Sequence, residues 1–233
     1  MRILLSIAFP LGCIGLALFT LNFSHDHGSA HSSGPPECIA QADLDKAVVA
    51  LSQQYNEAQL AQKVLRESAR VSSQCRQRVI RAVMGAMDKQ VDISRNQADA
   101  NLWREGARLL GDFKATESLD LLLSHITMTD GGWSSTMTHQ PALAGIILFG
   151  SAAVAKLTNL LRNDDWQTRH YAVFCLAHIG GFSARRAIET AVPMESHPCV
   201  KRLMLVSIKT IDVRHGGLKQ DRGEWAKAFM CMP

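Results

Sequence analysis

The segment WQTRHYAVFCLAHIGGFSARRAIETA, residues 166–191, contains two short amphipathic patterns separated by a pair of glycines. Apolar residues recur every three to four positions on each side of the pair, as on one face of an α-helix. The first stripe is Ala172, Cys175, Leu176 and Ile179, and the second is Ala184, Ala187, Ile188 and Ala191. Neither short helix can bury its stripe alone, so each must pack on the other and then on a neighbouring pair. We therefore expect further helix pairs along the chain.

Two more segments fit the same pattern when they are aligned on Gly111, Gly150 and Gly180. The aligned positions one and four residues before the glycine, and four and eleven after it, are all apolar: Leu110, Phe149, Ile179, Ala107, Ile146, Leu176, Ala115, Val154, Ala184, Leu122, Leu161 and Ala191. Each glycine is interpreted as a left-handed residue that ends a helix. The spacings are 39 residues (150 − 111) and 30 residues (180 − 150), near the periods of two-helix repeats. An unrelated helical bundle is the less favoured alternative.

These motifs resemble HEAT-like repeats, in particular the short repeats with an LG hinge that also occur in phycobilin-lyase-type proteins. The resemblance is carried by Leu110-Gly111-Asp112, Phe149-Gly150 and His178-Ile179-Gly180-Gly181, each followed by a helix of small residues. It implies an all-α fold, a short right-handed α-solenoid of HEAT-like hairpins after an N-terminal hydrophobic helix. Such repeats serve scaffolds, adaptors and a few enzymes, so the resemblance predicts the fold rather than the function.

The predicted domains are a signal peptide or membrane anchor at residues 1–23, a flexible linker at 24–37 and a repeat domain at 38–233. Clear repeats are expected at about 101–126, 141–162 and 166–191, with caps at both ends. The segment Ile3–Phe23 has no charge and is long enough to cross a bilayer. Because it exceeds the usual apolar core of a signal peptide, we favour an uncleaved anchor, although Gly28-Ser29-Ala30 offers a cleavage site.

The first basic residues bear on localisation. Arg2 precedes the apolar segment, and no Lys or Arg follows until Lys46. Under the positive-inside rule, the chain should be extracytoplasmic, periplasmic or in the cell envelope, and membrane-anchored or secreted.

The linker contains His25, Asp26, His27 and His31, which are suitable metal ligands. We favour a hydrated tether, since closing a metal site would cost a flexible segment conformational entropy.

The ends of the repeat domain carry less regular helical patterns. One apolar stripe runs from Leu44 to Tyr55, another begins near Leu60, and a third helix is expected to start at Ser72 or Ser73. Residues 91–100 are interpreted as a polar connection. After the repeats, a helix should begin near Pro198, and residues 224–230 should form a closing helix in which Trp225 and Phe229 act as a lid.

The loop TDGGWSSTMTHQ, residues 129–140, is long for a tight array, and such loops are often functional. Trp133 is a candidate binding anchor, with a side chain folded back over the stack as an equal alternative. His139 of the same loop is the second candidate. Further candidates form a basic ridge on the last repeats: Arg185, Arg186, Lys201 and Arg202. A hydrated outer face is favoured for this ridge, and Arg169 and Glu189 are expected to stay hydrated as well.

Five cysteines follow the apolar segment: Cys38, Cys75, Cys175, Cys199 and Cys231. Cys175 lies on an apolar stripe and is interpreted as a buried free thiol. The other four allow three pairings. We favour Cys38 with Cys75 and Cys199 with Cys231, because the members of each pair belong to the same end of a linear stack.

No catalytic motif, phosphate-binding glycine loop or metal-ligand motif occurs in the chain. We therefore predict a non-catalytic interaction or scaffold module without a cofactor, which binds an unidentified protein or peptide on its helical surface. The membrane is a second partner if the first segment is uncleaved, and nucleic acid is not expected. One alternative is a HEAT-like enzyme of the lyase or DNA glycosylase type. The other is a metal-handling envelope protein that uses its His-rich linker.

Overall fold

The computed structural model describes residues 37–89, 96–130, 139–212, 216–218 and 227–230. Over these residues the fold is all-α, as predicted, and the only pairing of extended backbone is an isolated antiparallel bridge between Ile211 and Leu218. No helix in these ranges is both long enough and apolar enough to span a membrane. The predicted apolar segment at 3–23 lies outside the described residues, and so does the predicted linker at 24–37 except for its last residue, Glu37.

The folded part starts with three helices, α1 (Gln41–Ala50), α2 (Tyr55–Val71) and α3 (Ser73–Asp88). All three pack against one another around apolar side chains such as Leu44 and Leu65. The prediction that the first stripe continues to Tyr55 is wrong, because the helix ends at Ala50 and the Tyr55 side chain is exposed. Ser72 is the N-cap of α3, where its hydroxyl accepts a hydrogen bond from the Cys75 amide.

The remaining helices follow in pairs: α4 (Gln97–Asp112) and α5 (Leu119–Ser124), α6 (Pro141–Phe149) and α7 (Ser151–Leu160), α8 (Trp166–Ile179) and α9 (Gly181–Ala191), and finally α10 (Pro198–Thr210). Single 3₁₀ turns, Thr116–Ser118 and Val192–Met194, precede α5 and follow α9. The helix α4 starts inside the stretch 91–100 that was predicted as a connection. Its N-cap is Asn96, whose side chain accepts from the Ala98 amide.

The first helices of these pairs contact one another in chain order, α4 with α6, α6 with α8, and α8 with α10. The second helices pack beside them, and α7 also contacts α9. The helix pairs lie in the residue ranges where repeats are predicted. Their facing surfaces form one apolar core that includes the side chains of Trp103, Leu143 and Leu176.

The three aligned glycines do not share one role. Gly150 and Gly180 end α6 and α8 with φ of 62° and 68°, as the helix-end interpretation predicts. The same interpretation is wrong for Gly111, which lies inside α4. A Cβ at Gly111 would stand 2.6 Å from the carbonyl oxygen of Gly145, so this glycine permits the close approach of α4 and α6.

The left-handed residue that follows α4 is Lys114, with φ of 52°. Its amide bonds the Gly111 carbonyl at 3.0 Å, and the Ala115 amide bonds the Leu110 carbonyl at 3.1 Å. These two bonds form a Schellman motif, in which glycine is the usual left-handed residue. The left-handed residue therefore comes three residues after the aligned glycine (114 − 111).

Residues after α10 return to the hinge between α8 and α9. The Gly181 amide donates to the Asp212 carbonyl at 3.1 Å, and the Gly217 amide donates to the Ile179 carbonyl at 3.0 Å. Of the predicted closing helix at 224–230, the described residues 227–230 include one helical turn. Phe229 in that turn is buried, with its ring centroid 4.6 Å from that of Phe174.

Candidate functional site

An open groove lies between α7 and α9. It has a volume of about 330 Å³ and is lined by Thr158, Leu161, Arg162, Phe182, Ser183, Arg186, Ala187, Thr190, Ala191 and Met194. Phe182 and Met194 are 67% and 63% exposed, so the groove presents two large apolar side chains to solvent. They offer a contact surface for an apolar side chain of a partner.

The two ends of α9 place these apolar groups. Phe182 is the second residue of α9, and it is exposed, whereas Ala184 and Ile188 of the same helix are buried. Met194 closes the 3₁₀ turn that follows α9. Sequence reasoning missed both residues. The sequence pattern could have indicated Phe182, because it is a large aromatic residue that lies outside the apolar stripe of its helix.

The groove has a positive electrostatic character. Arg162 and Arg186 belong to its lining, which contains no acidic side chain. Both arginines are exposed, and neither side chain forms an ion pair among the described residues. The arrangement can therefore hold carboxylates beside an apolar anchor.

The other residues of the predicted basic ridge are placed differently from one another. Arg185 is paired with Glu189, with 2.7 Å between Nε and Oε1, on the exposed part of α9. Lys201 and Arg202 are exposed in the first turns of α10. Only Arg186 of the four predicted ridge residues lines the groove. A common ridge for the four stays a prediction.

His139 lies at the base of the loop that was singled out from the sequence. Its Nδ1 is 2.7 Å from Oδ1 of Asp130, and the Asp130 amide donates to the His139 carbonyl at 3.1 Å. Oδ2 of the same carboxylate accepts from Arg104 at 2.8 Å. These contacts close the two ends of the loop, whose residues 131–138, Trp133 included, lie outside the described residues. Asp130 was not identified from the sequence.

A buried polar cluster lies at the first half of α8. His170 is fully buried, and neither ring nitrogen has a hydrogen-bond partner among the described residues. Oε1 of Gln140 and Nδ1 of His197 are also buried without a partner, although Nε2 of Gln140 donates to the Tyr171 hydroxyl at 2.7 Å. Aromatic rings surround the cluster, and the Trp166 ring stacks on His197 at 4.3 Å.

Burial lowers the pKa of His170 to about 4, and the nearby His197 acts in the same direction. The Phe229 backbone lies near the His170 ring and acts against this shift by favouring the charged form, although its geometry to the ring nitrogens falls short of a hydrogen bond. His170 is therefore neutral in the folded chain near neutral pH. Burial also raises the pKa of the Tyr171 hydroxyl, so this group stays protonated.

The expectation that Arg169 stays hydrated is wrong. Its Nε and Nη2 donate to the two carboxylate oxygens of Glu195 at 2.7 and 2.9 Å, and both side chains are largely buried. Burial alone would raise the pKa of Glu195, but hydrogen bonds from Arg169 and the His197 amide outweigh it and lower the pKa. The pair is a fixed structural link between α8 and the segment before α10.

The cysteines are divided between bonded and free forms. Cys38 and Cys75 form a disulfide, which is one of the two favoured pairings. Cys199 is disulfide-bonded as well, while its predicted partner, Cys231, lies outside the described residues. Cys175 is a free buried thiol whose pKa is raised by burial, which suppresses its reactivity.

No group of three or more metal-ligating side chains occurs within the described ranges of the chain. The histidines of the predicted linker fall outside those ranges. Comparison with known proteins gives no match to a protein-family model, a curated protein or a solved structure.

Proposed function

We propose that the chain is a short α-solenoid of HEAT-like hairpins that acts as a non-catalytic module for binding a protein or peptide. The succession of contacts through α4, α6, α8 and α10, with α5, α7 and α9 beside them, supports this architecture. In such a stack, successive second helices lie next to each other, and the groove between α7 and α9 is a site where a peptide can lie.

The groove is the observation that carries the proposed function. Its two exposed apolar side chains, Phe182 and Met194, would pack on one large apolar side chain of the partner. Arg162 and Arg186 would pair with carboxylates on either side of that anchor, since charge-assisted hydrogen bonds to arginine favour carboxylates. The partner is thus a peptide segment with an aromatic or long aliphatic residue flanked by Asp or Glu.

We further propose that the module is extracytoplasmic, anchored to a membrane or secreted. The disulfide between Cys38 and Cys75, and the bonded state of Cys199, support an oxidising compartment. The charge-free segment Ile3–Phe23 supports the same localisation. A reporter fused after Pro233 tests it, because a periplasmic reporter such as alkaline phosphatase is active only outside the cytoplasm.

Selection from a displayed library of random peptides on the folded chain tests the groove. The proposal predicts enrichment of peptides with one large apolar residue flanked by acidic residues. Peptides recovered on the wild-type chain should be lost on Phe182→Ala and retained on Tyr55→Ala. Tyr55 is the matched control because it is an aromatic side chain with 70% exposure that lies outside the groove. Enrichment of basic peptides, or equal loss on the two variants, would contradict the proposal.

A further inference from the structure

A second concave site lies at the other end of the described fold, between α2, the start of α3 and the end of α4. It has a volume of about 600 Å³ and is lined by Arg66, Ala69, Arg70, Ser72, Ser73, Arg76, Asp112 and Phe113. This volume is within the usual range for small-molecule sites. The lining shares no residue with the groove between α7 and α9.

The charges of this pocket do not balance. Three guanidinium groups face one carboxylate, which leaves a net charge of +2 in the lining. Arg66 pairs with Asp112, with 2.6 Å between Nη2 and Oδ2. Arg76 donates from Nη2 to the Phe113 carbonyl and lies over the Phe113 ring. Each of these two arginines therefore makes one side-chain hydrogen bond within the described residues and keeps other N–H donors available.

Arg70 has no ion pair or side-chain hydrogen bond within the described part of the chain. It lies in the last turn of α2, where a basic residue complements the helix dipole. The helix dipole explains why a basic residue lies at this position. It does not supply hydrogen-bond acceptors for the N–H donors of the guanidinium group. These donors line the pocket and match the oxygens of a tetrahedral anion.

The first turn of α3 adds to the positive character of the pocket. It contains no acidic residue, and the hydroxyl of Ser73 has no hydrogen bond among the described residues. The Ser72 hydroxyl is already used, since it accepts from the Cys75 amide at 3.1 Å. Cys75 is disulfide-bonded to Cys38, so a covalent bond fixes this turn against the start of the fold. The backbone of this turn therefore loses little freedom when an anion binds beside it.

We propose that this pocket binds a phosphate group, carried by a molecule larger than phosphate itself. Arg66, Arg70 and Arg76 supply the positive charge, and the Ser73 hydroxyl supplies a neutral donor. The remaining volume holds the organic group to which the phosphate is attached. The phosphate belongs either to a small soluble ester or to a lipid headgroup, and the test separates these two sources.

The test measures binding to the folded chain in two arms. Each arm is carried out at low and at physiological salt. The first arm titrates inorganic phosphate and glycerol phosphate while amide shifts are followed by NMR. The second uses phosphatidylcholine vesicles with and without phosphatidic acid. Arg70→Gln removes the unpaired guanidinium, and Arg81→Gln is the matched control, because Arg81 is an exposed arginine of α3 outside the pocket.

The proposal predicts that phosphate shifts the amides of Ser73 and Arg76, and that salt weakens the binding. Arg70→Gln should weaken it about tenfold or more, as expected for loss of a charge-assisted hydrogen bond. Arg81→Gln should change it less than about twofold, the scale of a remote screened charge. A loss with Arg70→Gln in either arm supports the proposal and identifies the source of the phosphate. No binding in both arms, or equal losses for the two variants, overturns it.

Discussion

Replacement of His170 by leucine tests the buried polar cluster of α8. Leucine has nearly the same volume, so the variant keeps the packing against Trp166, Tyr171 and Phe229 while it removes both unpartnered ring nitrogens. At neutral pH, removing the unsatisfied polar atoms raises the free energy of unfolding, and losing the ring contacts lowers it. The informative quantity is therefore the change in stability with pH.

The sign of the pH effect follows from the direction of the pKa shift. Burial lowers the pKa of His170 from 6.5 to about 4 in the folded chain. Between these values the unfolded chain binds a proton that the folded chain does not, so stability falls as the pH is lowered from 6.5 towards 4. When the pH is lowered from about 7.5 to about 4.5, His170 should lower the free energy of unfolding by about 2.5 kcal/mol.

Urea unfolding of the wild type and His170→Leu at both pH values measures this cost. The variant should gain about 2.5 kcal/mol relative to the wild type on going from the higher to the lower pH. Phe174→Leu is the control, because it removes a neighbouring ring of the same cluster that does not titrate. Its cost should be the same at both pH values. A His170→Leu difference that is independent of pH would refute the reasoning.

Two further predictions concern packing and buried charge. Gly111→Ala should lower the free energy of unfolding by about 1–3 kcal/mol, because its Cβ would meet the Gly145 carbonyl. Gly85→Ala, with open space around its Cβ in α3, should raise it by about 0.5–1 kcal/mol. Equal effects of the two substitutions in urea denaturation would rule out close packing at Gly111. Glu195→Gln should cost about 3–5 kcal/mol, since it removes the carboxylate that balances the charge of the largely buried Arg169. Glu189→Gln, which breaks the exposed pair with Arg185, should cost less than about 1 kcal/mol in the same assay.

The helical class and most helix positions were predictable because apolar periodicity reports which face is buried. The glycines show the limit of this signal. An apolar residue before Gly111, Gly150 or Gly180 fits both a helix end and a close helix contact, and only the tertiary neighbour decides between them. At Gly111 that neighbour is Gly145, 34 residues later in the chain (145 − 111), which the local pattern does not reveal.

The candidate site was only partly predictable for a related reason. Arg186 could be singled out as a member of a basic ridge on the last repeats, but its place in the groove with Phe182 depends on how α9 packs on α7. Arg169 was predicted as hydrated because it lies outside the apolar stripe. Its burial depends on Glu195, which is 26 residues away and reaches it from the segment before α10. The spacing of apolar residues along a helix does not reveal an ion pair with a distant segment.

The binding role of the groove can be decided by one equilibrium measurement. A labelled peptide with an aromatic residue between two acidic residues, taken from the selection, is titrated with the wild type, Phe182→Ala and Tyr55→Ala, and its anisotropy is followed. Phe182→Ala should weaken binding about thirtyfold, the loss expected when an aromatic anchor contact of about 2 kcal/mol is removed. Tyr55→Ala should bind as the wild type does. Equal affinities for all three proteins would contradict a binding site between α7 and α9.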